Sequence, residues 1–211
     1  MIRTRYWMTP GRCMKAVSKQ QKQRIEELVR EEIAIVPYHP AWPGMFHAEA
    51  EFLRGRFPGS IIRRIEHFGS TAVPGLAAKP VIDMLIEVAS LDETKKHVVP
   101  VLQAEGYQYF WRPSFGDDVP PWYAWFIKRN ADGARTHHLH MVEAGWDIWD
   151  RLYFRDYLRE FPDAAEEYGQ LKMALASAHH NDRVTYTTRK TEFIMSVTEK
   201  AKAYYYNLKD K

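Results

Sequence analysis

Cysteine is almost missing from this chain of 211 residues, and Cys13 alone cannot close an internal disulfide. That fits a reducing compartment and predicts a cytoplasmic protein. No run of about 18 apolar residues occurs, so no membrane span is expected. The first residues carry charges and a Pro-Gly pair but lack the apolar segment of a secretory signal. Internal repeats and low-complexity tracts are missing too. Nor is there a strong excess of one charge, since the net value is +3. That small sum hides an asymmetry. Residues 1–30 hold eight Lys or Arg against Glu26 and Glu27, while the remaining 181 hold 22 basic against 25 acidic side chains. The basic character therefore belongs to the N-terminal arm. A nucleic-acid footprint, which neutralises many phosphates, is not indicated for the rest. The arm reads as solvated, able to touch RNA or an acidic surface.

What is present suits one sizeable core, with 45% hydrophobic residues. Residues 1–35 read as a basic tail and an N-terminal helix, with a helical pattern over 18–33. Residues 36–206 read as a single domain. A helix is predicted from Pro43 to Phe57, its apolar face spaced as Phe46, Ala50, Leu53 and Phe57. Strands follow over Arg63 to Phe68 and Val81 to Val88, around a small-residue connection. Ser90 is a natural N-cap for a helix from Leu91 to Glu105, which Pro100 should kink. Gly106 to Trp111 reads as a strand, and Arg112 to Pro121 as a loop whose Asp117 and Asp118 can rim a pocket. Strands Trp122 to Arg129 and Arg135 to Glu143 are joined by Asn130-Ala131-Asp132-Gly133, a hairpin turn. Three helices close the chain, Trp146 to Phe161, Pro162 to Ala178 and Asp182 to Tyr206. In the first, the stripe Trp146, Trp149, Leu152, Tyr153 and Tyr157 is spaced to bury against the sheet. The fold class is α/β (α+β): a mixed sheet flanked by helices, then a helical C-terminal layer.

The chemistry gathers between Ile65 and Val88. The first strand stops at Gly69-Ser70-Thr71, where glycine lets another group approach the backbone closely. Successive amides in such a turn make an anion-binding concavity, so Gly69 and Ser70 are candidate phosphate contacts. Lys79, Arg63 and Arg64 can supply positive charge. In the second strand Val81, Asp83, Leu85 and Glu87 share one face. Two acids after a Gly-Ser loop suggest a metal and phosphate site, or else a half-buried sheet with its acids in solvent. On the Arg135–Glu143 strand His138 and His140 share a face, with His137 on the other. His-x-His can ligate a transition metal, contact phosphate, act as a base, or simply hydrogen-bond within the sheet. Trp122 or Tyr123 can stack on a base.

The run Ile65-Glu66-His67-Phe68-Gly69-Ser70-Thr71-Ala72-Val73-Pro74-Gly75-Leu76-Ala77-Ala78-Lys79-Pro80 resembles the signature of the GrpB family, within the nucleotidyltransferase superfamily. The resemblance continues at residues 37–43, at Arg135-Thr136-His137-His138-Leu139-His140, at Phe154-Arg155-Asp156-Tyr157-Leu158 and over Tyr186 to Ile194. It implies Mg²⁺-dependent nucleotidyl transfer from a nucleoside triphosphate, with Asp83 as the first metal ligand. It also implies that Tyr186 and Lys190, one helical turn apart, reach the phosphates. The superfamily's second acid would stand at position 85, which is Leu85 here. Glu87 lies about 13 Å from Asp83 along the strand and cannot replace it. Three readings follow: a transferase, a module binding a nucleotide or other phosphorylated molecule without catalysis, and an interaction or folding-assistance domain with a protein partner. The last is implied by the family's occurrence beside dephospho-CoA kinase.

Overall fold

A computed structural model describes residues 34–113, 121–179 and 182–209. The basic tail, the helix predicted over 18–33 and the loop acids Asp117 and Asp118 lie outside the described residues. Helix α1 (Trp42–Arg56) starts with Pro43 in its first turn, where a missing amide costs nothing. Its Ala50 and Leu53, with Phe57 just beyond, are buried as the spacing predicts, while Phe46 is half-buried. Strands β1 (Ile62–His67), β2 (Ile82–Val88), β3 (Gln108–Pro113), β4 (Trp122–Arg129) and β5 (Arg135–Val142) form one sheet in the order β1-β2-β5-β4-β3. Only β2 and β5 run parallel, so the sheet is mixed and the fold is α+β. This pairing sets Asp83 opposite His138 and Leu85 opposite His140.

Three local differences from the predicted elements have physical causes. Ser90 caps as expected, its hydroxyl accepting from the Asp92 and Glu93 amides at 3.2 and 3.4 Å. The helix it starts is not one kinked rod. Helix α2 (Leu91–Glu93) opens into a π turn over Thr94–Val98 before α3 (Val99–Ala104). Pro100 lacks an amide and crowds the carbonyl four residues back, which the wider turn accommodates. Strand β3 runs two residues past Trp111, pairing Arg112 with Tyr123 and Pro113 with Trp122. It is an edge strand, where proline removes no ladder bond.

The predicted helix from Trp146 divides into a 3-10 turn, Asp147–Asp150, and α4 (Arg151–Glu160). Leu152 packs against the sheet with Trp149, as expected. Tyr153 and Tyr157 do not, and instead face the last helix through Tyr205 and Tyr204, both at 6.2 Å between rings. That layer is completed by α5 (Pro162–Ala178) and α6 (Arg183–Lys209).

The sheet is covered on both faces. On one, α1, α2 and α3 bury Leu53, Leu91 and Leu102 against Ile82, Met84 and Ile86. The other buries Leu85, Tyr123, Trp125 and Ile127 beneath Leu152. A third cluster, including Val73, Leu76, Phe154, Tyr168 and Ile194, ties the connection after β1 to the helices. No helix among the described residues is long and apolar enough to cross a membrane.

His67 ends β1 in a defined tautomer. The Thr71 hydroxyl donates its one proton to the Val81 carbonyl at 3.2 Å, so the His67 Nε2–H donates to Thr71 Oγ1 at 2.9 Å. Burial lowers this ring from 6.5 to about 4, against a weaker upward pull from Asp83. Between those values the unfolded chain takes up a proton that the folded ring refuses. Stability is therefore intact above pH 6.5 and is lost as pH falls toward 4, by up to about 3 kcal/mol for this group. Urea unfolding of His67→Gln at pH 7 and pH 5 should show a smaller pH-dependent loss than the unaltered chain.

Candidate functional site

Gly69 is a glycine because of what lies beneath it. Its backbone is extended, at φ −68° and ψ −174°, a conformation open to any residue. Yet a Cβ there would stand 2.3 Å from Asp83 Oδ2 and 2.7 Å from Asp83 Cβ. The loop thus presses its main chain onto the carboxylate, and the Phe68 amide donates to the Asp83 carbonyl at 3.1 Å. The sequence expectation of a close approach at this glycine is met by a protein side chain.

Asp83 projects from β2 and keeps 30% of its side chain exposed. His138, directly across on β5, donates Nδ1–H to Asp83 Oδ1 at 3.0 Å. Two residues on, His140 Nε2 stands 3.9 Å from the same oxygen. The Nδ1 of His140 meets the hydroxyl of Tyr123 at 3.1 Å. Burial alone would raise the Asp83 carboxyl, but the neighbouring His138 and His140 outweigh it and hold it well below the ordinary carboxylate range. Burial pulls His138 to about 4 despite Asp83, and lowers His140 in the same way. At neutral pH the group is one carboxylate between two neutral imidazoles.

A cavity of about 180 Å³ opens beside it, lined by Ser70, Asp83, His140, Arg151, Arg155 and Lys190 among others. The share of one liquid water is about 30 Å³, so the space equals about six waters, room for a phosphate group or a short phosphate chain. Arg151 has no hydrogen-bond or ion-pair partner among the described residues, though its charge adds to the lowering of His140 by burial and partly offsets the rise that burial gives Tyr168. Ser70 interacts with the buried Tyr168 hydroxyl at the cavity wall. Three cations of the helical layer grip carbonyls at the end of β1 and along the loop. Arg155 donates to His67 O at 3.0 Å, Arg159 to Ala72 O at 2.9 Å, and Lys172 to Ala77 O. Arg155 also pairs with Glu66 at 2.8 Å and Asp156 at 2.7 Å.

Of the residues singled out from sequence, Gly69, Ser70, Asp83, His140 and Lys190 line this cavity, and His138 stands immediately behind it. Tyr186 is fully buried, its ring between Lys79 at 5.7 Å and Lys190 at 5.1 Å. Lys79 is therefore near the site but not in its wall. Arg63 is exposed, and Arg64 is spent on Glu66 at 3.0 Å and on the Trp149 ring. Tyr123 is 3% exposed and holds His140, so it has no face free for a base. The sequence reading missed Arg151, Arg155 and Tyr168. Arg151, Arg155 and Arg159 recur every four residues along α4, a basic stripe that marks one helix face.

Asp83, His138 and His140 are the ligand set grouped here, with one donor atom from each lying within 4.8 Å of the others. Mg²⁺ requires oxygen ligands in near-octahedral array. Leu85, at 0% exposure inside the apolar cluster, supplies no second carboxylate, and Glu66 on the next strand is held by two arginines. The protein thus offers Mg²⁺ one carboxylate beside two imidazoles, which that ion does not prefer.

The family model described as GrpB protein matches residues 32–200. The chain is 39% identical to the UPF0157 protein PA4798 of Pseudomonas aeruginosa, over 86% of this chain and 72% of that one. It is 35% identical to the glutamate-rich protein GrpB of Alkalihalophilus pseudofirmus, over 77% of this chain and 92% of that one. It also resembles the crystal structure of conserved protein GrpB from Enterococcus faecalis, at a TM-score of 0.69 and 32% identity, covering 82% of this chain and 99% of that one.

The packing of Gly69 on Asp83 is testable by two glycines of opposite surroundings. Gly69→Ala should cost about 1–3 kcal/mol in urea unfolding, the cost of overpacking. Gly55→Ala, in α1 with nothing among the described residues within 4 Å of the new methyl, should be neutral or gain about 0.5–1 kcal/mol.

Proposed function

This chain belongs to the GrpB family, and from that premise we propose that its cavity binds a phosphorylated anion of the nucleoside-triphosphate class. The observation that carries the reading is Arg151, a guanidinium on the cavity wall with no protein acceptor among the described residues. A buried-edge cation without a partner favours an acidic ligand, and a guanidinium matches phosphate geometry in a bidentate way. Lys190 and the Ser70 hydroxyl line the same wall. The small volume suits the phosphates, with any nucleoside lying outside.

Binding is favoured over nucleotidyl transfer by the buried Leu85 and by the arginine-held Glu66, which leave Asp83 without a second acid. Transfer is the second reading, and it rests on the retained, partly exposed Asp83 next to the Gly69-Ser70 loop.

Thermal unfolding with inorganic phosphate, pyrophosphate and each nucleoside triphosphate tests the first reading. A ligand at 100 times its Kd should add about 2.7 kcal/mol and raise Tm accordingly. Arg151→Met and Lys190→Met should each remove most of the rise while leaving the unliganded Tm close to unchanged. A Tm unmoved by every ligand, or moved equally in both variants, refutes the site. Label transfer from an α-phosphate-labelled nucleoside triphosphate, lost in Asp83→Asn, would establish the second reading.

A further inference from the structure

We infer that Asp83, His138 and His140 bind one transition-metal dication of the zinc class at the inner end of the cavity. The inference is independent of the nucleotide reading, since it concerns the metal alone. It begins with register. The parallel β2–β5 pairing places Asp83 beside His138, and the strand's alternation returns His140 to the same face. Zinc bonds nitrogen and oxygen ligands at about 2.0–2.2 Å in a tetrahedral array, which sets neighbouring donors about 3.3–3.6 Å apart. The Asp83–His138 separation of 3.0 Å falls just below that range and the Asp83–His140 separation of 3.9 Å just above it, with all three donor atoms within 4.8 Å of one another. Side-chain movements on the order of 1 Å close the set.

The donors choose the class of metal. Imidazole with one carboxylate suits zinc, iron, nickel or copper, whereas Mg²⁺ and Ca²⁺ want oxygen. The surroundings hold the His140 ring as a ligand is held. Tyr123, itself buried, occupies the Nδ1 of His140 and leaves Nε2 pointing toward Asp83. Such an outer partner is the usual companion of a ligating histidine. Phe68 packs edge-on against His140 at 5.1 Å, and Trp125 leans on His138 at 5.1 Å, so neither ring can turn away freely.

A second observation concerns the far side of His138. Its Nε2 is buried with no hydrogen-bond partner among the described residues, although burying an unpaired polar nitrogen costs about 1–3 kcal/mol. An apolar ring would fill that place among Trp125 and Ile127 without the cost. The imidazole is therefore retained for its other nitrogen, the one facing Asp83. Three protein ligands and an open side toward Ser70 and Lys190 leave a further position for water or a ligand oxygen.

Metal-stripped full chain, titrated calorimetrically with Zn²⁺, Mn²⁺ and Mg²⁺, should bind one Zn²⁺ per chain and resist displacement by a 100-fold excess of Mg²⁺. His140→Gln and Asp83→Asn should each abolish that binding. Tyr123→Phe, which keeps every ligand, should weaken it by about 10–100-fold, the usual effect of losing an outer partner. Should the ligand variants fail to fold, Co²⁺ added to the unaltered chain replaces them. It should broaden the Gly69 amide and Leu85 methyl NMR signals, which lie beside the site, before signals near the exposed His39 or His97. Zinc binding that survives in the folded variants, equal competition by Mg²⁺, or broadening confined to surface histidines would overturn the inference.

Discussion

The close seating of the Gly69 main chain on the Asp83 side chain is the contact on which the site depends. A side chain at position 69 would collide with the carboxylate. The contact therefore aligns the loop and β2 to within the size of a methyl group. Interiors packed this tightly do not deform smoothly, so the loop has one place to lie. With Asp83 fixed from above, His138 and His140 meet it from the side, and the cavity opens where the loop stops.

That contact would not hold a loop alone, and the helical layer secures it. Arg155, Arg159 and Lys172 each donate to a carbonyl of the connection between β1 and β2, at His67, Ala72 and Ala77. A connection that turns back this often has carbonyls with no ladder to join, and buried carbonyls need donors. Supplying them from cations puts several positive charges behind the loop. The Arg155 charge is balanced by Glu66 and Asp156, while Arg151 meets no acid among the described residues and stands at the opening. Arg151 at the opening and Arg155 and Arg159 on the loop thus come from one stripe of α4, with Lys172 added from α5.

The network also explains why the acid pattern of the strand differs from what metal-dependent transfer needs. Leu85 is fully buried beneath Leu152 and beside Phe110 and Trp125, where an acid would be an unpaired buried charge. The histidines opposite then become the natural partners of Asp83.

Much of this was legible in the residues. The period of two over Ile82–Val88 and Arg135–Val142 placed Asp83, His138 and His140 on their faces, and the turn residues bounded both strands. Gly69 marked a close approach, and Leu85 a missing acid, before any coordinates. Local chemistry decides such features, because alternation and turn geometry act over a few residues. What faces Asp83 was decided by the fold. The partner His138 is 55 residues away, and the cations on the loop carbonyls come from 87 to 95 residues away. Sequence alone leaves Lys79, Tyr186 and Lys190 equivalent as candidates. Packing separates them, burying Tyr186 between the two lysines and giving Lys190 to the cavity wall. The physical reason is range: period and propensity are properties of neighbours along the chain, whereas strand order and helix docking choose among distant pairings by total burial.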